Sequence, residues 1–92
     1  MISRDFVIAN QLGLHARPSA QLTQVASRFA SEVFIAKNGR RVNAKSIMGV
    51  MMLAAGPGST VTVDAEGADA QQAVDAIGML ISSGFGEAHA QE

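Results

Sequence analysis

The chain has 92 residues, enough for one small domain built on one core. It has no cysteine, which excludes a disulfide framework and a thiolate metal site, and its 48% apolar content lacks Trp and Tyr, so the core must be aliphatic and Met-rich with four Phe. The net charge of −1 hides an asymmetry, because residues 1–46 hold all seven basic side chains against two acidic ones while residues 47–92 hold six acidic side chains and no basic one.

The N-terminus Met1-Ile2-Ser3-Arg4-Asp5 lacks the apolar run of a signal peptide. The longest apolar stretch, residues 47–55, is shorter than the ~20 residues a membrane span needs. A soluble cytoplasmic protein is expected. Residues 2–9 alternate, with Ile2, Phe6 and Ile8 on one side and Ser3 and Asp5 on the other, and read as a half-buried strand interrupted by Arg4. Asn10 to Leu14 form a loop. Leu22, Val25, Ala26 and Phe29 recur at helical spacing, which predicts a helix from Ala16 to Ala30. Val33 to Ala36 form a strand, and Asn38-Gly39 is a two-residue hairpin turn that leads into a strand at Arg40 to Asn43.

Ser46 is a good N-cap for a two-turn helix. Val50 and Leu53 can face the core there. Ile47, Met48 and Met51 cannot all do so, which leaves apolar surface exposed. Gly56-Pro57-Gly58 is a turn, and Thr60 to Glu66 alternate as a fourth strand. Asp69 and Gln72 resemble a capping box at the start of a last helix, whose apolar face is Ala70, Ala73, Val74, Ile77, Leu80 and Ile81. Gly84 is placed as its C-terminal glycine. The domain is expected to span residues 1–86, with 87–92 a flexible tail in which His89 is inert. The order β-α-β-β-α-β-α, with a hairpin, predicts an α+β open-faced sandwich: a four-stranded antiparallel sheet covered on one face by three helices. Ser3, Asp5, Thr60, Thr62 and Asp64 then face solvent.

The chemistry concentrates at Gly13-Leu14-His15-Ala16-Arg17-Pro18. Pro18 suits a first helical turn, so His15 stands at a helix N-terminus, where unpaired N–H groups and the dipole favour an anion. Arg17 adds a planar fork of donors that fits phosphate oxygens. A nucleophilic imidazole beside such a site could carry a phosphoryl group. One His and one Arg provide no acid–base pair and no metal site, which argues against an enzyme with its own small substrate. No cofactor is expected.

Gly-Leu-His-Ala-Arg-Pro at 13–18, followed by Lys-Ser-Ile-Met-Gly-Val-Met at 45–51, resembles the HPr phosphocarrier proteins of the bacterial phosphotransferase system, over essentially the whole chain. The resemblance implies an HPr-like fold, with His15 accepting a phosphoryl group on Nδ1 from enzyme I and passing it to an enzyme IIA protein. It implies that Arg17 assists at that centre. It also implies that Arg17, Pro18, Ile47, Met48 and Met51 meet partners. Ser46 matches a residue that a dedicated serine kinase/phosphorylase modifies in some members. Met51-Met52-Leu53, Asn10-Gln11-Leu12 and Ser83-Gly84-Phe85-Gly86-Glu87 are similar to the nitrogen-related NPr branch, while the Ser46 context is similar to ordinary HPr.

Two other readings stay open. One is a regulatory binding module whose phosphorylation state controls partner binding without onward transfer. The other is a nucleic-acid-binding domain using Arg17, Arg40 and Arg41, which the lack of aromatic residues among the cations disfavours. The relay reading expects a monomer with protein partners, no nucleic acid and no membrane insertion.

Overall fold

The computed structural model describes residues 1–86. The elements in chain order are β1 (Ile2–Val7), α1 (Ala16–Ala26), β2 (Glu32–Lys37), β3 (Arg40–Asn43), α2 (Ile47–Met52), β4 (Thr60–Glu66) and α3 (Ala70–Ser82), followed by a 3-10 turn at Gly84–Gly86. The four strands form one antiparallel sheet in the order β1-β4-β2-β3. The expected α+β open-faced sandwich is the observed architecture. The expected tail at 87–92, with His89, lies outside the described residues.

Alternation along each strand sends one set of side chains to the helices. Ile8, Val33, Ile35, Val61, Val63 and Ala65 are buried there against Leu22, Val50, Ile77 and Ile81. Arg4 is on this side too. It pairs with Asp75 of α3 at 3.2 Å and lies over the Phe6 ring, so the cation that interrupts the apolar face is held at its rim. Gly78 lets α3 approach β1 closely, since a Cβ at that position would run into the Phe6 ring. The hairpin turn has φ of 51° at Asn38 and 83° at Gly39, the left-handed pair that a two-residue turn of this kind requires.

Three expectations are corrected. The first helix ends at Ala26, not Ala30. The chain tightens there, with Arg28 N–H donating to Val25 and Phe29 N–H to Ala26, while Lys45 Nζ donates to the Phe29 carbonyl at 2.9 Å. The next two N–H groups, of Ala30 and Ser31, both donate to the Asp69 carboxylate at 2.9 Å, a bond a continuing helix could not make. Asp69 is thereby the second correction. It occupies the N-cap of α3, but its side chain does not cap that helix; it takes the Ala30 and Ser31 amides and the Ser31 hydroxyl instead. These hydrogen bonds, with the Ser31 hydroxyl foremost, hold its carboxyl below the usual range. The third concerns Asp64, expected in solvent. Its side chain is buried on the open face, where Arg41 of β3 forms a two-pronged pair with it, Nη2 at 2.7 Å and Nε at 3.2 Å, and stacks 3.7 Å above the Phe34 ring. A cross-strand pair thus covers part of a sheet face that β4 alone would leave wet.

The last described residues complete the core. Gly84 follows the C-cap of α3 with φ of 69°, and the turn it opens drives Phe85 inward to 2% exposure.

Candidate functional site

Asn10 begins the loop that leads to His15. Its amide Nδ2 donates to the Gly13 carbonyl at 2.8 Å, and Gly13 N–H returns a bond to the Asn10 carbonyl at 3.2 Å. Gly13 has φ of 66° and lies against the turn after α2: a Cβ there would collide with the Ala55 carbonyl oxygen and come within 2.8 Å of Gly56 Cα. Leu14 buries its side chain and donates its N–H to that same Ala55 carbonyl at 2.8 Å. The loop is therefore fastened to its neighbour one residue before the histidine.

His15 is the N-cap of α1, in extended conformation with φ of −84° and ψ of −167°. It is half-buried, and its carbonyl accepts the Ser19 N–H at 3.0 Å, the first bond of the helix. Ser19 Oγ donates back to the Leu14 carbonyl at 3.3 Å, closing the turn. Ala16 and Arg17 follow as the first two helical residues, where N–H groups lack intrahelical acceptors. Arg17 is exposed and Pro18 is buried. His15 thus stands at the start of α1 with Arg17 exposed in its first turn, and Pro18 serves as packing in that turn.

Ser46 is the N-cap of α2. Its Oγ accepts the Gly49 N–H at 3.2 Å, while Asn43 Oδ1 takes the Lys45 N–H at 2.8 Å. Val50 and Leu53 are buried as expected, and Ile47, Met48 and Met51 are exposed at 38%, 66% and 39%. Ser46 is at one end of this helix, and the turn that holds Leu14 follows the other end. Leu12 in the histidine loop and Met52 at the end of α2 are exposed as well, at 69% and 60%, and neither is among the expected contact residues. An isolated leucine in a polar loop was the available signal for the first. The role of Ala55 had none, because a backbone carbonyl leaves no trace in sequence.

Among the described residues, no three His, Asp or Glu side chains gather to hold a metal, and no helix is long and apolar enough to cross a membrane.

The fold and the junction together define a class, a small open-faced sandwich that presents a histidine at a helix N-terminus. Comparison with known proteins makes the class specific. The family model described as the PTS HPr component phosphorylation site matches residues 2–83. The phosphocarrier protein HPr of Cupriavidus necator is 61% identical over 87 residues, covering 95% of this chain and 98% of that protein. The crystal structure of HPr-C-His from Thermoanaerobacter tengcongensis superposes with a TM-score of 0.91 at 46% identity, covering 95% of this chain and 98% of that one. A crystal structure of Crh from Bacillus subtilis, described as a domain-swapped dimer, matches at a TM-score of 0.73 and 42% identity, covering 91% of this chain and 97% of that one. The chain belongs to the HPr family of phosphocarrier proteins of the phosphotransferase system, which carry a phosphoryl group and are not enzymes.

Proposed function

We propose that the protein takes a phosphoryl group onto Nδ1 of His15 from enzyme I and hands it to an enzyme IIA protein. In the first transfer the N–P bond to His15 forms as the bond to the donor breaks; in the second the same bond is surrendered to the acceptor. The observation that carries this reading is the position of His15 at the N-cap of α1 in a chain of the HPr family. The first-turn amides and the positive end of the helix dipole favour phosphate oxygens beside the ring. Arg17, two residues on, supplies the mobile charge, and the exposed Ile47, Met48 and Met51 form the surface that partners dock on; Pro18, expected among the partner contacts, is buried in the first turn of α1 and is not part of that surface. The protein acts as a monomer in the cytoplasm, with residues 1–86 as its folded domain. Ser46 serves as a cap and, where a serine kinase/phosphorylase is present, as a negative switch.

The test is transfer from labelled phosphoenolpyruvate through enzyme I. Wild type should take up an acid-labile, base-stable label, and His15→Ala should melt normally and take up none; undiminished labelling of the variant overturns the assignment. Chasing the label onto sugar-specific and nitrogen-related enzyme IIA proteins separates the two branches. A second reading has one observation behind it, the likeness to Crh, described as a catabolite repression protein. In that reading phosphorylation changes only partner affinity, and a label that enters but never moves onward would favour it.

A further inference from the structure

We propose that the thioether stripe Met48, Met51 and Met52 on α2 is a reversible oxidation switch: hydrogen peroxide converts these side chains to sulfoxides and weakens partner docking at the His15 site while the fold stays intact. The proposal rests on the relay reading above.

The composition predicts a Met-rich core, yet none of the five methionines lies in it. The buried apolar set consists of Ile, Leu, Val, Ala and Phe. Every methionine is exposed, from Met51 at 39% to Met1 and Met79 at 75%. Met48, Met51 and Met52 recur at i, i+3 and i+4, so they share one face of α2, while Val50 on the opposite side is buried. Three sulfurs therefore stand in water on one six-residue helix. An oxygen added to any of them meets solvent and displaces no core packing. That separates a switch from a lesion that unfolds the chain. With no cysteine in the sequence, no thiolate competes for the oxidant.

In the reaction a lone pair on Sδ attacks one oxygen of hydrogen peroxide. The S–O bond forms as the O–O bond breaks, and the departing hydroxide takes the proton of the new S–OH group and leaves as water. Sulfur loses two electrons and the peroxide gains them. A sulfoxide reductase working with a dithiol returns the two electrons and releases the oxygen as water. The sulfoxide oxygen is a polar acceptor that water solvates well. Docking must strip that water, whereas a thioether gives up its hydration at little cost, so the oxidised stripe binds partners more weakly. The sulfoxide carries no charge, so the loss does not depend on salt, unlike the effect of a phosphate at Ser46. The stripe lies where docking is felt: α2 packs on α1, whose N-cap is His15, and the turn after α2 holds Leu14 through the Ala55 carbonyl. Met79 supplies an internal control, because it is more exposed than any of the three but lies on α3, in a groove with Arg4 and Phe6.

The experiment treats wild type, the triple variant Met48→Leu/Met51→Leu/Met52→Leu and Met79→Leu with hydrogen peroxide, which catalase removes before assay. Peptide masses locate the added oxygens. Initial rates of His15 phosphorylation by enzyme I are then measured against the concentration of this protein, at low and at physiological salt, each sample compared with its own untreated form. Oxidised wild type should show KM raised on the order of 10-fold, equally at both salts, with kcat unchanged and Tm within a few degrees. Sulfoxide reductases with dithiothreitol should restore KM. Met79→Leu should lose as much as wild type, and the triple variant should stay within about two-fold of its untreated form. An unmoved KM with oxygen on all three α2 methionines overturns the proposal. So does an equal rise in the treated triple variant, which would assign the effect to another group, or a rise explained by a fall in Tm, which would make oxidation plain damage. Oxygen on Met79 with none on α2 overturns it as well. An untreated wild type that takes no label overturns the relay reading itself, a result distinct from normal labelling that oxidation leaves unchanged.

Discussion

Ala54 is a non-glycine residue with φ of 51°, in the region where a Cβ crowds the backbone. That conformation costs about 1–2 kcal/mol, and it persists because the residue lies between the end of α2 and the Ala55 carbonyl that anchors Leu14. Replacing it by glycine removes the crowding but adds freedom to the unfolded chain, worth roughly 0.5–1 kcal/mol in the other direction. Ala54→Gly should therefore stabilise by up to about 1 kcal/mol and raise Tm by a few degrees in a thermal melt. Asp69 supports a different prediction. Its carboxyl is held below the usual range by bonds from Ser31 and Ala30, so the folded state favours its ionised form. Its stabilisation is complete above the ordinary carboxylate range near pH 4 and fades as pH falls through the lowered folded value. Asp69→Asn should lower Tm at neutral pH, and the gap to wild type should close in acid. A gap that stays constant with pH would show that charge on Asp69 contributes nothing.

At the scale of elements, α2 combines a polar cap with an apolar exterior. Ser46 caps it through the Gly49 amide, and Asp caps as well as Ser, so Ser46→Asp should melt within a few degrees of wild type. The same charge adjoins Ile47 and Met48, in a surface that must shed water when a partner docks, and phosphorylation from enzyme I should slow through weaker association. Transfer as fast as wild type at low salt would leave Ser46 a cap and nothing else. This helix, the hairpin and the histidine junction were legible because each is written in contiguous residues: a cap and the positions it precedes, an Asn-Gly pair, a His-Ala-Arg-Pro run. What stayed hidden depends on residues far apart. Phe29 continues the helical period, yet α1 stops short of it because Asp69 captures the Ala30 and Ser31 amides. Asp64 alternates as a solvent-facing residue, yet Arg41 from another strand covers it. Gly13 looks like a turn glycine, while its close neighbour is the Ala55 carbonyl across the fold.

At the scale of the whole molecule, one aliphatic core carries the stability, and Phe85 closes it. Phe85→Ala should cost about 3–5 kcal/mol, a large share of the ~5–15 kcal/mol typical of such domains, read as a lower midpoint in urea. Phosphorylation of the residual folded fraction should proceed at the wild-type rate, since the histidine loop is built from other residues. The strand order has a consequence in time. The register sets Ile2 beside Ala65 and Val7 beside Thr60, so the first strand made pairs only with the last. At ~5–20 residues per second, a ribosome takes several seconds to supply that mate. The β2–β3 hairpin can close locally in the meantime, while β1 waits as an unpaired ribbon carrying Ile2, Phe6 and Val7. During those seconds the nascent chain is open to chaperones and to pairing with a neighbour, an exposure that ends once β4 arrives.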